Sequence, residues 1–196
     1  MEACKTKHKH FKIFKPYGYL SQFASNDSKQ QSKKFLGRLY NFPEGIMAIG
    51  RLDEASEGLL LLTTNGKTSA LINSQKVEKE YYAQVDGSIT ENAIKQLQDG
   101  VGITVDGLAY NTKPCKAFRL NTIPDLPKRA KKIRDDRHGP TSWLSITLTE
   151  GKFRQVRKMT AAIGFPTLRL VRVRVGDFTI NNMQAGDVVE VFKLEV

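Results

Sequence analysis

The sequence predicts an α+β fold, with a mixed, largely antiparallel central sheet and flanking helices. Three observations carry that reading. Short apolar runs bounded by Gly or Pro recur along the chain, as buried strands do. Helical spacing of apolar residues is confined to a few segments, and these do not alternate with strands in the regular order that an all-parallel sheet requires. The chain has 196 residues, 40% of them hydrophobic and 9% aromatic, which is enough to bury a core without disulfide staples.

Taken in order, residues 1–10 (MEACKTKHKH) form a basic arm that is expected to be flexible. The arm lacks the apolar core of a secretory leader. His8 and His10 have no acidic or Cys neighbours at ligand spacing and are assigned to solvent rather than to a metal. Residues 11–14 make the first strand, stopped at Lys15-Pro16 because proline lacks the N–H a ladder needs. A polar loop occupies residues 25–31. Residues 46–49 and 59–62 are apolar runs bounded by glycines, read as buried strands flanking a turn that carries Arg51, Leu52 and Asp53.

The segment Asn65-Gly66-Lys67-Thr68 ends like a phosphate-binding loop. Leu61 stands where the first glycine of that loop belongs, so the backbone cannot curl around a phosphate, and Gly66 is assigned to a turn. Residues 81–85 read as a strand, and 91–97 as a helix with Ala93, Ile94 and Leu97 on one face. Residues 101–105 read as extended. Residues 121–140, with Pro124, Pro127, Gly139 and Pro140, have the composition of a long excursion. Residues 143–149 alternate, Leu144, Ile146 and Leu148 against Ser145, Thr147 and Thr149, which predicts a half-buried strand. A helix follows over 154–163, striped by Val156, Met159 and Ile163 and stopped by Gly164 and Pro166. In the extended segment 168–175, Leu168 and Leu170 share parity with Arg172 and Arg174, so the buried face is expected to swap at a bulge.

Charge narrows the partners. Lys and Arg number 31 against 20 Asp and Glu, a formal net charge of +11, and polyanions are the natural partners of such a chain. The cations cluster. Residues 151–176 hold Lys152, Arg154, Arg157, Lys158, Arg169, Arg172 and Arg174 with no acid among them, and residues 128–138 form a second basic run on the excursion. No apolar stretch approaches the roughly 18 residues of a membrane span. Cys4 and Cys115 are far apart with no CxxC, arguing against a zinc site or a disulfide framework and for a reducing cytoplasm.

The chemistry-bearing segment is GRLDEASEGLLLLTT, residues 50–64. A carboxylate on a turn between two buried runs is costly to desolvate, so Asp53 needs a cationic partner, a capping role or a catalytic one. Arg154 and Arg157 open a helix downstream and are candidates to reach it.

GRLDEASEGLLLLTTNG resembles the catalytic signature of the pseudouridine synthases, and within them the RsuA-type ribosomal RNA enzymes. Three further motifs fit in order: Lys15-Pro16-Tyr17-Gly18, Lys79-Glu80-Tyr81, and GKFRQVRKM over residues 151–159. The likeness runs from about residue 11 to 187. The segments PTSWLSITLTEG and RQVRKMTAAIGFPTLRLVRVRVGD are most similar to the large-subunit pseudouridine synthase E subgroup. Phe153 and Ser56 depart from it, standing where a small polar residue or His, and Thr, are common.

The resemblance implies a catalytic domain over residues 11–196, two subdomains about one basic cleft, and no N-terminal S4 RNA-binding module. It implies that Asp53 is the essential carboxylate, acting at the sugar anomeric carbon or on the 2′ proton. By the same likeness Arg157 pairs with Asp53, Tyr81 stacks on the target base, and Arg51 helps hold the swung-out nucleotide. Lys15, Lys79, Lys152, Arg154, Lys158, Arg169, Arg172 and Arg174 are expected to meet RNA, mainly its phosphates. The implied partner is large-subunit ribosomal RNA, free or in an assembling particle. No cofactor, metal or membrane is implied, and the chain is expected to act as a monomer in the cytoplasm.

Two rivals remain open from the residues themselves. One is a non-catalytic RNA-binding or ribosome-assembly protein on the same fold, in which Asp53 is structural. The other is a glycoside hydrolase using Asp53 with Glu57 as acid and base, which the cationic surface does not favour.

Overall fold

The computed structural model describes residues 8–74, 77–134 and 136–195. In chain order its elements are β1 (His10–Lys15), β2 (Tyr19–Leu20), β3 (Lys34–Phe35), β4 (Met47–Ile49), β5 (Glu57–Thr63), α1 (Gly66–Asn73), β6 (Lys79–Asp86) and α2 (Glu91–Asp99). They continue with β7 (Gly102–Val105), β8 (Leu108–Asn111), β9 (Lys116–Arg119), β10 (Thr141–Leu148), α3 (Gln155–Ala162), β11 (Thr167–Val175), β12 (Phe178–Thr179) and β13 (Val188–Val191). A nine-stranded sheet runs β13-β1-β5-β11-β6-β10-β9, with β4 beside β5 and β12 beside β11. All of its pairings are antiparallel except the short β5–β11 seam, where Val171 faces Glu57 and Arg172 faces Gly58. The mixed, mostly antiparallel α+β architecture is the one the sequence predicts.

The seam joins the halves of the sheet. Strand β5 is buried along its whole length, as a run of four leucines in a central strand must be, each side chain contributing roughly 1.5 to 3 kcal/mol. Gly58 permits the close approach: its φ is +103°, and a Cβ there would lie 2.3 Å from the Arg172 carbonyl oxygen. On one side of the seam, Ala93, Ile94 and Leu97 of α2 and Val156 and Met159 of α3 cover Ala83, Val85, Leu144 and Ile146. Thr90 caps α2, its Oγ1 accepting from the Ala93 N–H at 3.2 Å. On the other side Phe11, Ile13, Leu60 and Leu62 pack with Leu36 and Leu52.

Several local expectations are corrected. His10 is not part of a loose arm: it opens β1, is buried and hydrogen-bonds Thr63 at 2.9 Å through Nδ1, while residues 1–7 lie outside the described residues. Gly66 opens α1 rather than a turn, because Asn65 caps the helix and accepts from the N–H groups of Lys67 and Thr68. Strand β10 is buried on both faces, not one. On the far face Ser145 donates to Glu80 of the neighbouring β6 at 2.8 Å. Strand β11 does carry register irregularities, between Thr167 and Arg169 and between Arg172 and Arg174. The buried face does not simply swap at them, because Arg169 and Arg172 are themselves buried.

Candidate active site

Asp53 sits on the turn between β4 and β5, and the turn is held from several directions. Ser21 grips it from one side: its Oγ accepts from the Leu52 N–H at 2.9 Å and donates to the Leu52 carbonyl at 2.8 Å. The Gly18 N–H reaches the Glu54 carbonyl at 2.8 Å, and the Ser56 N–H closes the turn onto the Asp53 carbonyl at 3.0 Å. Arg157 grips it from the other side, donating through one terminal nitrogen to the Ala55 carbonyl at 3.0 Å and Ser56 Oγ at 3.3 Å, and through the other to the Thr167 carbonyl. Ser21 had no signal in the sequence beyond being a polar residue in an apolar neighbourhood.

Two guanidinium groups converge on one carboxylate oxygen. Arg157 Nε is 3.8 Å and Arg154 Nη1 3.5 Å from Asp53 Oδ2. The Asp53 side chain is 23% exposed and that of Arg157 only 12%, so the pair sits in a largely dry crevice. Burial, and then the neighbouring Arg154 charge, lower the pKa of Arg157. Arg154 is the more open partner, and it occupies the left-handed region at φ +54° just before α3, a conformation that non-glycine residues adopt at a cost.

The crevice beside Asp53 encloses about 70 Å³ and is lined by Arg51, Ser56, Tyr81, Lys152, Arg154 and Leu170. It adjoins a recess of about 290 Å³ that shares Arg51, Tyr81 and Lys152 and adds Lys79 and Arg172. Tyr81 and Tyr82 face opposite sides of the sheet, as strand geometry demands, and Tyr81 alone lines the crevice. A larger recess of about 680 Å³ lies on the Tyr82 face, against residues 125–128 and 179–184, away from Asp53.

The other sequence candidates divide. Arg51 is exposed and donates to Gln22 at 3.0 Å; it pairs with neither Glu54, which binds Lys33, nor Glu57. The Lys152 ammonium lies 4.8 Å from the centre of the Tyr110 ring, and Lys158 lies 5.2 Å from that of Phe153, both at the rim. Lys79 is half-buried and donates to the Val77 carbonyl, and burial followed by the Arg172 charge lowers its pKa.

Lys15 is fully buried rather than open to phosphate, donating to the carbonyls of Pro16 and Tyr19, and burial pushes its pKa down to about 7. Arg169, Arg172 and Arg174 are likewise occupied within the fold. Arg169 forms a two-pronged pair with Glu57 at 3.0 and 3.1 Å, Arg172 donates to the Leu59 carbonyl at 2.8 Å, and Arg174 bridges Glu78 and Glu80. Buried Glu57 and the Leu59 carbonyl take in Arg169 and Arg172, which strand parity alone assigns to solvent, whereas Arg174 stays part-exposed as parity requires.

The excursion is tied down as well. Arg129 lies 3.2 Å from Glu57 and 4.2 Å from the Tyr17 ring centre, and Arg134 pairs with Asp86. Glu57 is therefore enclosed between two arginines and does not join Asp53 as an acid–base pair. Among the described residues no helix is long and apolar enough to cross a membrane.

One carboxylate on a clamped turn, two arginines and a tyrosine ring thus meet beside a single crevice of this sheet. A sequence model of the family described as RNA pseudouridylate synthase matches residues 9–162, and the chain belongs to that family. Among its relatives, the ribosomal large subunit pseudouridine synthase E of Xanthomonas axonopodis pv. citri (strain 306) is 41% identical over 169 residues, 85% of each chain. That of Vibrio parahaemolyticus serotype O3:K6 (strain RIMD 2210633) is 40% identical over 174 residues, 88% of this chain and 69% of the other. A solved structure of a pseudouridylate synthase superposes with a TM-score of 0.71 at 25% identity, over 94% of this chain and 70% of that one.

Proposed function

We propose that this enzyme converts a specific uridine of large-subunit ribosomal RNA to pseudouridine, in the cytoplasm, with Asp53 as its catalytic carboxylate. The observation that carries the reading is the Asp53 carboxylate between Arg157 and Arg154 on a turn that cannot drift. In the reaction the N1–C1′ bond of the nucleotide breaks, the uracil turns within the crevice, a C5–C1′ bond forms, and the C5 proton departs while N1 gains one. Atoms balance without a second substrate. Asp53 acts on the ribose, and Arg157, fixed by three hydrogen-bond acceptors, faces the carboxylate with its charge and keeps it aimed.

Tyr81 provides the flat face on which the freed uracil stays stacked while it turns. The uridine must leave its own stack to reach Asp53, at a cost of a few kcal/mol unless the RNA is already looped there. Arg51, Lys152, Arg154 and Lys158 line the approach and offset that cost through the phosphates. The buried cations Lys15, Arg169 and Arg172 act indirectly, by fixing β1, β5 and β11 under the turn. Likeness to the type E synthases supports the large-subunit substrate.

The test follows from the proton that leaves C5. Large-subunit ribosomal RNA transcribed with uridine tritiated at C5 releases tritium to water when incubated with the enzyme, up to a stoichiometric plateau. Retention of all the label would refute the proposal.

A further inference from the structure

Phe153 is exposed to 64% on the segment between β10 and α3. Its neighbours in sequence, Lys152 and Arg154, both line the crevice of Asp53, so it stands at the rim of the site. Looseness of the segment does not account for the exposure. Buried Glu150 accepts from the Lys113 N–H at 2.9 Å, from Gln155 Nε2 at 2.6 Å and from the Tyr110 hydroxyl at 2.5 Å. Gln155, also buried, returns its Oε1 to the Lys152 N–H at 2.9 Å. A floor of hydrogen bonds thus holds residues 150–155 in place, with Arg154 in the left-handed region directing the chain into α3. Upon that floor an apolar ring is presented to water.

One cation lies against the ring and two more adjoin it in the chain. Lys158 holds its ammonium 5.2 Å from the ring centre, while Lys152 and Arg154 flank it in the chain, and no acid occurs over residues 151–176. An exposed aromatic ring beside cations is the combination that binds unpaired nucleotides, the ring taking the base and the cations the phosphates. A flipped uridine leaves its neighbours with one stacking surface uncovered.

We propose that Phe153 is a stacking platform for an unpaired nucleobase of the RNA, next to the uridine held at Asp53. Lys158 contacts the phosphate belonging to that base. The inference rests on the uridine-isomerase reading above and adds a contact outside the crevice.

Tritium release from C5-labelled, unmodified large-subunit transcript tests it with F153A, F153L and F153Y. The platform requires a flat ring, so F153A and F153L lower kcat/KM roughly tenfold through KM, and F153Y stays within about twofold of wild type. Leucine keeps the apolar character and separates stacking from mere hydrophobicity. Equal kcat/KM for F153L and wild type would overturn the proposal. Because the ring is exposed, urea midpoints are expected to be unchanged, and a drop in the F153L midpoint matching its loss of activity would overturn it too.

Binding gives an independent reading. In F153W, the same transcript quenches the emission of the new indole beyond any change from Trp143, and absence of quenching contradicts stacking. If wild type releases no tritium but F153W is quenched, the isomerase reading falls and the platform stands.

Discussion

Arg157 holds the turn that carries Asp53 by its backbone as well as facing its charge: one nitrogen bonds the Ala55 carbonyl at 3.0 Å while Nε lies 3.8 Å from Asp53 Oδ2. The same side chain therefore sets where the carboxylate is and what charge it meets. A lysine could supply the charge but not the fork, since its ammonium cannot reach Ala55, Ser56 and Thr167 in one plane. Arg157→Lys is expected to reduce turnover on the order of a hundredfold with a small change in KM, because slight misplacement of a reacting group carries that cost. Single-turnover kinetics check it, and a rate within a factor of three of wild type contradicts the double role.

Glu57 is enclosed by Arg169 and Arg129 and turned away from the crevice. Glu57→Gln leaves two buried guanidinium groups without their countercharge, so urea unfolding should show a loss of about 3 to 5 kcal/mol. The account excludes a selective effect on chemistry in a variant of normal stability, which would restore a two-carboxylate mechanism.

Lys15 gives a pH dependence of defined sign. In the unfolded chain it stays charged to about pH 10, but in the folded protein only to about 7. Between those values the unfolded chain binds the extra proton, so stability rises with pH across that window, and the full penalty for burying a cation is felt below it. Lys15→Met removes the dependence. The stability of the variant relative to wild type should therefore be most favourable near pH 6 and decline toward pH 10. Chemical denaturation at several pH values measures this, and a difference that stays flat contradicts it.

The cations separate by burial. Lys152→Ala and Lys158→Ala should each lower the slope of log affinity for ribosomal RNA against log salt by about one, with stability unchanged. Arg172→Ala should leave that slope alone and cost about 2 kcal/mol of stability, because a buried carbonyl of β5 loses its charged donor. Filter binding across a salt series, with urea midpoints, distinguishes the two groups.

What the sequence made legible follows the reach of local rules. The run Leu59 to Leu62 announced a central strand, and Asp53 beside Arg51 and Leu52 marked the turn, because glycine boundaries and apolar runs are local signals. The partnership of Asp53 with Arg157 came from motif order, since no local rule links residues a hundred positions apart. The buried partnerships of Arg169 and Arg172 escape local rules for that same reason. Their counterparts, Glu57 and the Leu59 carbonyl, lie on β5, and only the parallel seam brings them together. Ser21 and the Glu150 network were invisible, as polar residues whose importance comes from burial.

One side chain, Asp53, is proposed to perform the chemistry, and its removal is the direct test. Unmodified large-subunit ribosomal RNA is treated with wild type, Asp53→Ala or Asp53→Asn, derivatised with carbodiimide and read by primer extension. One new stop is expected with wild type and none with either variant, both of which should still bind the RNA. The same stop at equal intensity with Asp53→Ala would contradict it.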